Sequence, residues 1–204
     1  MRLVFFGSGK FGIPTLEALV ARGYAPILTV SQPDRPAGRG GRASPTPIRR
    51  LAESLGLPLA APERPNDPEF VARLSGLAPD LAVVVAYGHL IRKPLLEVPR
   101  LGFVNLHASL LPAYRGAAPV PWAIMRGEKE SGVTVFQLDE RFDTGAILAR
   151  ESLALAPDDT TGTYLEKLAP LGAGIMVQTV VKLEAGRIVS QRQDETVASV
   201  APKL

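Results

Sequence analysis

The chain has 204 residues, 46% of them hydrophobic and 21% charged, with a formal net charge of +3 at pH 7. This length suits one large domain with a full hydrophobic core, and the mildly basic balance permits a polyanionic partner without requiring one. The chain has no cysteine and two histidines, which excludes disulfides, a cysteine nucleophile and thiolate metal sites and argues against a histidine-rich metal site. These counts leave carboxylate-bound Mg²⁺ open, although we expect no metal. No apolar run reaches the length of a membrane-spanning helix, and we expect a cytoplasmic protein without a membrane partner.

Short apolar runs alternate along the chain with segments of helical spacing. Strands are predicted at residues 3–6, 25–30, 57–60, 81–86, 102–106, 132–138, 147–153 and 186–191. Helices are predicted at residues 14–22, 48–55, 67–74, 119–125 and 160–184. This alternation predicts an α/β fold with a doubly wound, mostly parallel sheet flanked by helices, a Rossmann-like arrangement that binds ligands at the carboxyl ends of its strands. We assign residues 1–189 to one folded domain and residues 190–204 to a tail or the start of a linker.

The first predicted strand runs into a glycine-rich turn, residues 7–12, with the spacing of a dinucleotide-binding fingerprint. That fingerprint expects an acidic residue at the end of the second strand, which here ends in Ser31 and Gln32. The missing acid argues against a nicotinamide-dependent reductase and favours an ordinary turn between strand and helix.

A strand predicted at residues 102–106 leads into the pair Asn105 and His107. Residues i and i+2 of a strand point to the same side, so both side chains should face one pocket. Asp139 and Asp143 are both candidates for a carboxylate partner, and the residues alone do not choose between them. An amide donor, an imidazole and a carboxylate are the groups that acyl transfer without a covalent intermediate needs.

Residues 32–47 have no periodicity and are rich in proline, glycine and arginine, which predicts a long functional loop. Its arginines, Arg35, Arg39 and Arg42, suit phosphate contacts and favour a large polyanionic substrate. The turn that follows His107, residues 109–112, can seat a flat and partly apolar ligand.

These segments together resemble the methionyl-tRNA formyltransferases, part of the folate-dependent formyltransferase superfamily. Five segments carry the resemblance: residues 32–40, 83–88, 105–112, 115–119 and 138–145. The resemblance implies a catalytic trio of Asn105, His107 and Asp143, and so selects Asp143 over Asp139. It also implies that the 10-formyltetrahydrofolate donor contacts the turn formed by Ser109, Leu110, Leu111 and Pro112. The loop that contains Arg39 is implied to reach the acceptor end of initiator tRNA.

The resemblance has departures as well as matches. Residues 8–11 differ from the usual family sequence. Members of the family also carry a second, C-terminal domain, and this chain stops about where the linker to that domain would begin. We expect formyl transfer by direct amine attack, with Asn105 as oxyanion donor, His107 as acid and base, and Asp143 orienting His107. Glycinamide ribonucleotide and sugar-nucleotide formyltransferases are the alternatives, and a tRNA-binding module is the non-enzyme alternative. No obligate protein partner is expected.

Overall fold

The computed structural model describes residues 1–36 and 43–204, which form two compact units, Met1–Phe103 and Val104–Leu204. The strands of the first unit are β1 (Leu3–Gly7), β2 (Leu28–Val30), β3 (Arg35–Pro36), β4 (Ala43–Ser44), β5 (Leu59–Ala60) and β6 (Leu81–Val85). Its helices are α1 (Ile13–Ala21), α2 (Pro47–Ser54), α3 (Pro68–Gly76) and α4 (Lys93–Leu96), and a 3-10 turn at Lys10–Gly12 precedes α1.

The main sheet of the first unit is parallel, with its strands in the order β5-β2-β1-β6. Every residue of β1 and β6 is buried, as expected for apolar parallel strands that are covered on both faces. The helices that alternate with these strands each have a proline in the first turn, where its missing N–H would have no partner within the helix. The predicted α/β fold class is confirmed.

The second unit is built around antiparallel pairings. Its strands are β7 (Phe103–His107), which starts at the last residue of the first unit, β8 (Glu130–Gln137) and β9 (Ile147–Ala154). Its helices are α5 (Pro119–Met125) and α6 (Thr161–Glu184), followed by a 3-10 turn at Glu195–Val197. β8 pairs with both β7 and β9, and α6 packs against β8 and β9. Thr160 caps α6 by accepting a hydrogen bond from the backbone N of Thr163.

Two sequence predictions were wrong in detail. Residues 32–47 were expected to lack secondary structure, but β3 and β4 pair there, with Arg35 opposite Ser44, and α2 begins at Pro47. Residues 186–191 were expected to form a final strand, yet the only pairing described there is a single bridge between Gln191 and Ile147. None of the helices within the described ranges combines the length and the apolar character needed to cross a membrane.

Candidate active site

The imidazole of His107 lies between two groups of the second unit. Its Nε2 lies 2.8 Å from the carbonyl oxygen of Tyr114, and its Nδ1 lies 3.7 Å from Oδ2 of Asp143. A carbonyl oxygen only accepts hydrogen bonds, so Nε2 carries the proton of the bond to Tyr114. Nδ1 is therefore the ring nitrogen that remains able to exchange a proton. The side chains of His107 and Asp143 are 7% and 14% exposed, so the pair is largely shielded from solvent.

Asp143 rather than Asp139 faces the imidazole. Oδ2 of Asp143 accepts a hydrogen bond from the backbone N of Gly116 at 2.7 Å, which holds the carboxylate in place. Asp139 instead accepts hydrogen bonds from the backbone N of Arg141 at 3.0 Å and from the Thr144 hydroxyl at 2.8 Å, and so stabilises the connection between β8 and β9. At 3.7 Å, Asp143 is beyond hydrogen-bond distance of His107. The direct bond that orients the ring is the one to Tyr114.

Asn105 lies on the same face of β7 as His107. Asn105 is opposite Phe136 in the register of β7 and β8, and opposite residues share a face of the sheet. The His107 ring meets the Phe136 ring edge-on, with centroids 6.4 Å apart, which puts His107 on that face too. Asn105 is half-buried, and its carboxamide makes no hydrogen bond with any residue that the structure describes. Its amide N–H is thus without a partner among the described residues, on the face of β7 that also carries His107.

Two buried hydroxyls, those of Thr134 and Ser109, hold the turn after β7. Thr134 Oγ1 accepts a hydrogen bond from Leu111 N at 3.0 Å and donates one to Ser109 O at 2.7 Å. Ser109 and Leu111 are fully buried, and the Ser109 hydroxyl donates to Ala113 O at 2.6 Å. Of the four residues expected to contact a donor molecule, only Leu110 and Pro112 are partly exposed.

The glycine-rich turn at residues 7–12 in the first unit does not present its first amides to a ligand. The backbone N–H groups of Ser8 and Gly9 both donate to Ala86 O at 3.2 Å. These amides are therefore not available to bind a pyrophosphate, and the structure does not support dinucleotide binding at this turn. Two buried polar atoms near the end of β6, the Tyr87 hydroxyl and His89 Nε2, have no hydrogen-bond partner within the described ranges. Burial raises the pKa of Tyr87, so its hydroxyl keeps its proton.

Of the three candidate tRNA contacts, one lies in the part of the first unit that the structure describes. Arg35 is exposed at the start of β3, whereas Arg39 and Arg42 lie outside the residues that the structure describes. Nearby, Arg49 Nη1 forms an ion pair with Asp34 Oδ1 at 2.9 Å. Asp34 is therefore engaged with a side chain of the protein.

Two buried polar residues that sequence reasoning gave no role support the site. The side chains of Arg115 and Gln193 are hydrogen-bonded to each other, and Gln193 also reaches the turn that carries Asp143. Arg115 lies in one of the segments of resemblance, but no sequence signal marks Gln193. Among the described residues, no group of three or more His, Asp or Glu side chains is placed to hold a metal ion.

An imidazole, a carboxylate and a carboxamide are the side-chain groups that acid–base catalysis of acyl transfer uses, and the second unit carries all three. The sequence matches the formyl transferase family over residues 1–180, and the chain belongs to that family. It is 46% identical over its full length to the methionyl-tRNA formyltransferase of Methylococcus capsulatus, and it spans 66% of that relative's length.

Solved structures show the same similarity of fold. Phosphoribosylglycinamide formyltransferase from Bacillus halodurans superposes with a TM-score of 0.73 at 25% identity, over 90% of this chain and 95% of that one. An N-formyltransferase from Helicobacter canadensis in complex with folinic acid and dTDP-3-aminofucose gives a TM-score of 0.73. That match covers 100% of this chain and 71% of the other at 16% identity, and it shows the fold alone.

Proposed function

We propose that this chain transfers a formyl group from 10-formyltetrahydrofolate to the α-amine of methionyl-initiator tRNA, in the cytoplasm. The observation that carries the proposal is the position of His107, with Nε2 bonded to Tyr114 O and Nδ1 beside Asp143. The choice of acceptor rests on the 46% identity to a relative named methionyl-tRNA formyltransferase.

In the proposed reaction the neutral amine attacks the formyl carbon, and the carbonyl oxygen becomes an oxyanion. Asn105 donates its free amide N–H to that oxyanion. The new N–C bond forms in this addition, and collapse of the oxyanion then breaks the bond from the carbon to N10 of the folate. Removing a single oxyanion donor typically lowers the rate by about 10²–10³-fold.

His107 moves the proton that this exchange requires. Nδ1 takes a proton from the attacking amine and returns it to the leaving N10 of the folate, because Nε2 is committed to Tyr114 O. The imidazole is positively charged between these two steps. The carboxylate of Asp143, 3.7 Å from Nδ1, stabilises that charge without taking the proton.

The remaining contacts are assigned by exposure. We propose that Leu110 and Pro112 contact the folate donor, while Ser109 and Leu111 support the turn from beneath. Arg35, Arg39 and Arg42 are proposed to bind tRNA phosphates, since a guanidinium pairs with two phosphate oxygens at once.

The test is a comparison of acceptors with the same donor. We expect 10-formyltetrahydrofolate to formylate methionyl-tRNA, and glycinamide ribonucleotide and a dTDP-amino sugar to react at least about 10³-fold more slowly in kcat/KM, a margin within the reach of specific binding. Preferential formylation of either small acceptor would overturn the assignment of tRNA. Binding of tRNA with no transfer to any acceptor would support a binding module instead.

A further inference from the structure

The two groups beside His107 both belong to residues with unusual backbone geometry. Tyr114, whose carbonyl accepts from Nε2, has φ +62°, and Asp143, whose carboxylate faces Nδ1, has φ +54°. For residues other than glycine this left-handed region costs on the order of 1–3 kcal/mol, and such residues persist where surrounding contacts hold them. The contacts that hold Tyr114 and Asp143 therefore determine where His107 finds its partners.

Hydrogen bonds to the backbone of both residues come from one segment late in the chain, residues 193–201, here called the 193–201 strap. The backbone N of Tyr114 donates to Ser199 Oγ at 2.9 Å, and Arg115 N donates to Ser199 O at 2.8 Å. Ala201 N donates to Arg115 O at 2.6 Å. The approach is close: a Cβ on Gly116 would lie 2.8 Å from Ala201 O, so only glycine fits there. The strap thus holds the backbone on both sides of the Tyr114 carbonyl.

Gln193 holds the other partner. Its Nε2 donates to Asp143 O and to Gly145 O, both at 2.8 Å, and its Oε1 accepts from Arg115 Nε at 3.0 Å and Nη2 at 2.8 Å. A primary amide has two N–H donors and two acceptor lone pairs, so all four are used. Gln193 is 9% exposed and Arg115 is 8% exposed. One buried amide therefore joins the Tyr114–Arg115 segment to the turn that presents Asp143.

We propose that Gln193 is a positioning residue for the reaction and that the 193–201 strap completes the active site. Gln193 touches none of the reacting groups. It acts by keeping the Tyr114 carbonyl next to Nε2 of His107 and the Asp143 carboxylate next to Nδ1 of the same ring. This inference rests on the proposed function for its kinetic consequence, but its structural consequence can be measured without any substrate.

The decisive variant is Gln193→Glu. A glutamate keeps the oxygen acceptors for Arg115, but as a carboxylate it cannot donate to Asp143 O and Gly145 O. We expect kcat to fall by about 10–10²-fold, the effect of a displacement of about 1 Å, while KM for folate and for tRNA stays within about twofold. Val197→Ala is the control, because that side chain is 63% exposed on the same strap and should leave both constants unchanged.

A second measurement separates failure of this inference from failure of the proposed function. The chain has two histidines, so ¹⁵N-histidine labelling reports His107 against a single reference residue, His89. We expect Gln193→Glu to move the His107 ring resonances and Val197→Ala to leave them in place, whether or not the wild-type protein transfers formyl groups. Ser199→Ala, which removes one hydrogen bond to Tyr114, serves the same purpose if Gln193→Glu does not fold. Unchanged His107 resonances in the folded variant, or wild-type kcat in Gln193→Glu, would overturn the proposal.

Discussion

The backbone of Gly145 lies directly against the carbonyl of Gln137, so close that a Cβ on Gly145 would be 1.6 Å from Gln137 O. The contact joins the end of β8 to the segment that leads into β9. Asp143 lies two residues before this contact, in the left-handed region, and its carboxylate faces His107. The close approach at Gly145 therefore defines the path of the chain that carries the carboxylate.

Gly145→Ala should be severely destabilising. The added methyl group meets a backbone oxygen, which cannot move aside as a flexible side chain can, so we expect a loss of about 3 kcal/mol or more in the free energy of unfolding. Chemical denaturation measures the loss. Gly174→Ala is the control, since an added Cβ there meets nothing within 4 Å on the exposed side of α6, and alanine should stabilise the helix by up to about 1 kcal/mol. Similar stability changes in the two variants would contradict the steric argument.

Thr134 gives a second prediction, because its hydroxyl alone joins Leu111 N to Ser109 O inside the protein. Thr134→Val leaves a buried N–H and a buried carbonyl without that partner, at a cost of about 1–3 kcal/mol. We expect the variant to raise KM for the folate donor as well, because Leu110 and Pro112 lie in the turn that the hydroxyl holds. Thr134→Ser keeps the hydroxyl and should retain KM. If the valine and serine variants matched in KM, the hydroxyl would have no part in shaping the turn.

The residues of β7 could be predicted because strand alternation is a local rule. Asn105 and His107 are two apart in an apolar strand, and their shared side follows from that spacing. Asp139 and Asp143 could not be separated in the same way. Both lie in one connection, and both have the side chain of a turn former. The difference is a backbone dihedral, since the left-handed conformation of Asp143 turns its carboxylate towards His107.

The residues that hold the site in place could not be predicted from the sequence near them. Gln193 lies 50 residues from Asp143 in the chain, and Ser199 lies 85 residues from Tyr114. Such contacts are set by the packing of the whole unit. The same limit explains the error at residues 186–191, where the β-branched Val189 predicts a strand but is 82% exposed and has no strand beside it in the described residues. Strand propensity measures fit to a neighbouring surface and does not supply the neighbour.

The carboxyl group of Asp159 should make the free energy of unfolding depend on pH. Its buried carboxylate accepts from Lys167 Nζ at 2.8 Å and from Ala156 N at 3.0 Å, just before α6. The hydrogen bond from Lys167 is the main reason that the pKa of Asp159 lies below its ordinary value, against the opposing effect of burial. A carboxyl with a lowered pKa in the folded state contributes stability above the unfolded value of about 3.9, and this is lost as pH falls through the folded value.

Asp159→Asn should therefore lower the free energy of unfolding at pH 7, and the difference from wild type should shrink as pH falls below about 4. Urea denaturation at pH 7, 5 and 3 measures the difference. Asp158→Asn makes the same charge change at an exposed neighbour and should have little effect at pH 7. A difference between Asp159→Asn and wild type that stayed constant across this range would rule out the ionised carboxylate as its source.

Asn105 allows a sharper test of catalysis, because its carboxamide makes no hydrogen bond within the described part of the chain. Asn105→Ala should lower kcat by about 10²–10³-fold, the usual effect of losing one oxyanion donor, while thermal stability and KM for the folate remain close to wild type. The variant Asn105→Asp distinguishes the hydrogen bond donated by the side-chain amide from the packing of a side chain of that size. Aspartate matches the size of asparagine but has no N–H and brings a negative charge near the developing oxyanion, so its kcat should be as low as that of the alanine variant or lower. An aspartate variant that kept kcat within about threefold of wild type would mean that Asn105 acts through packing, and the oxyanion donor would then have to be sought elsewhere.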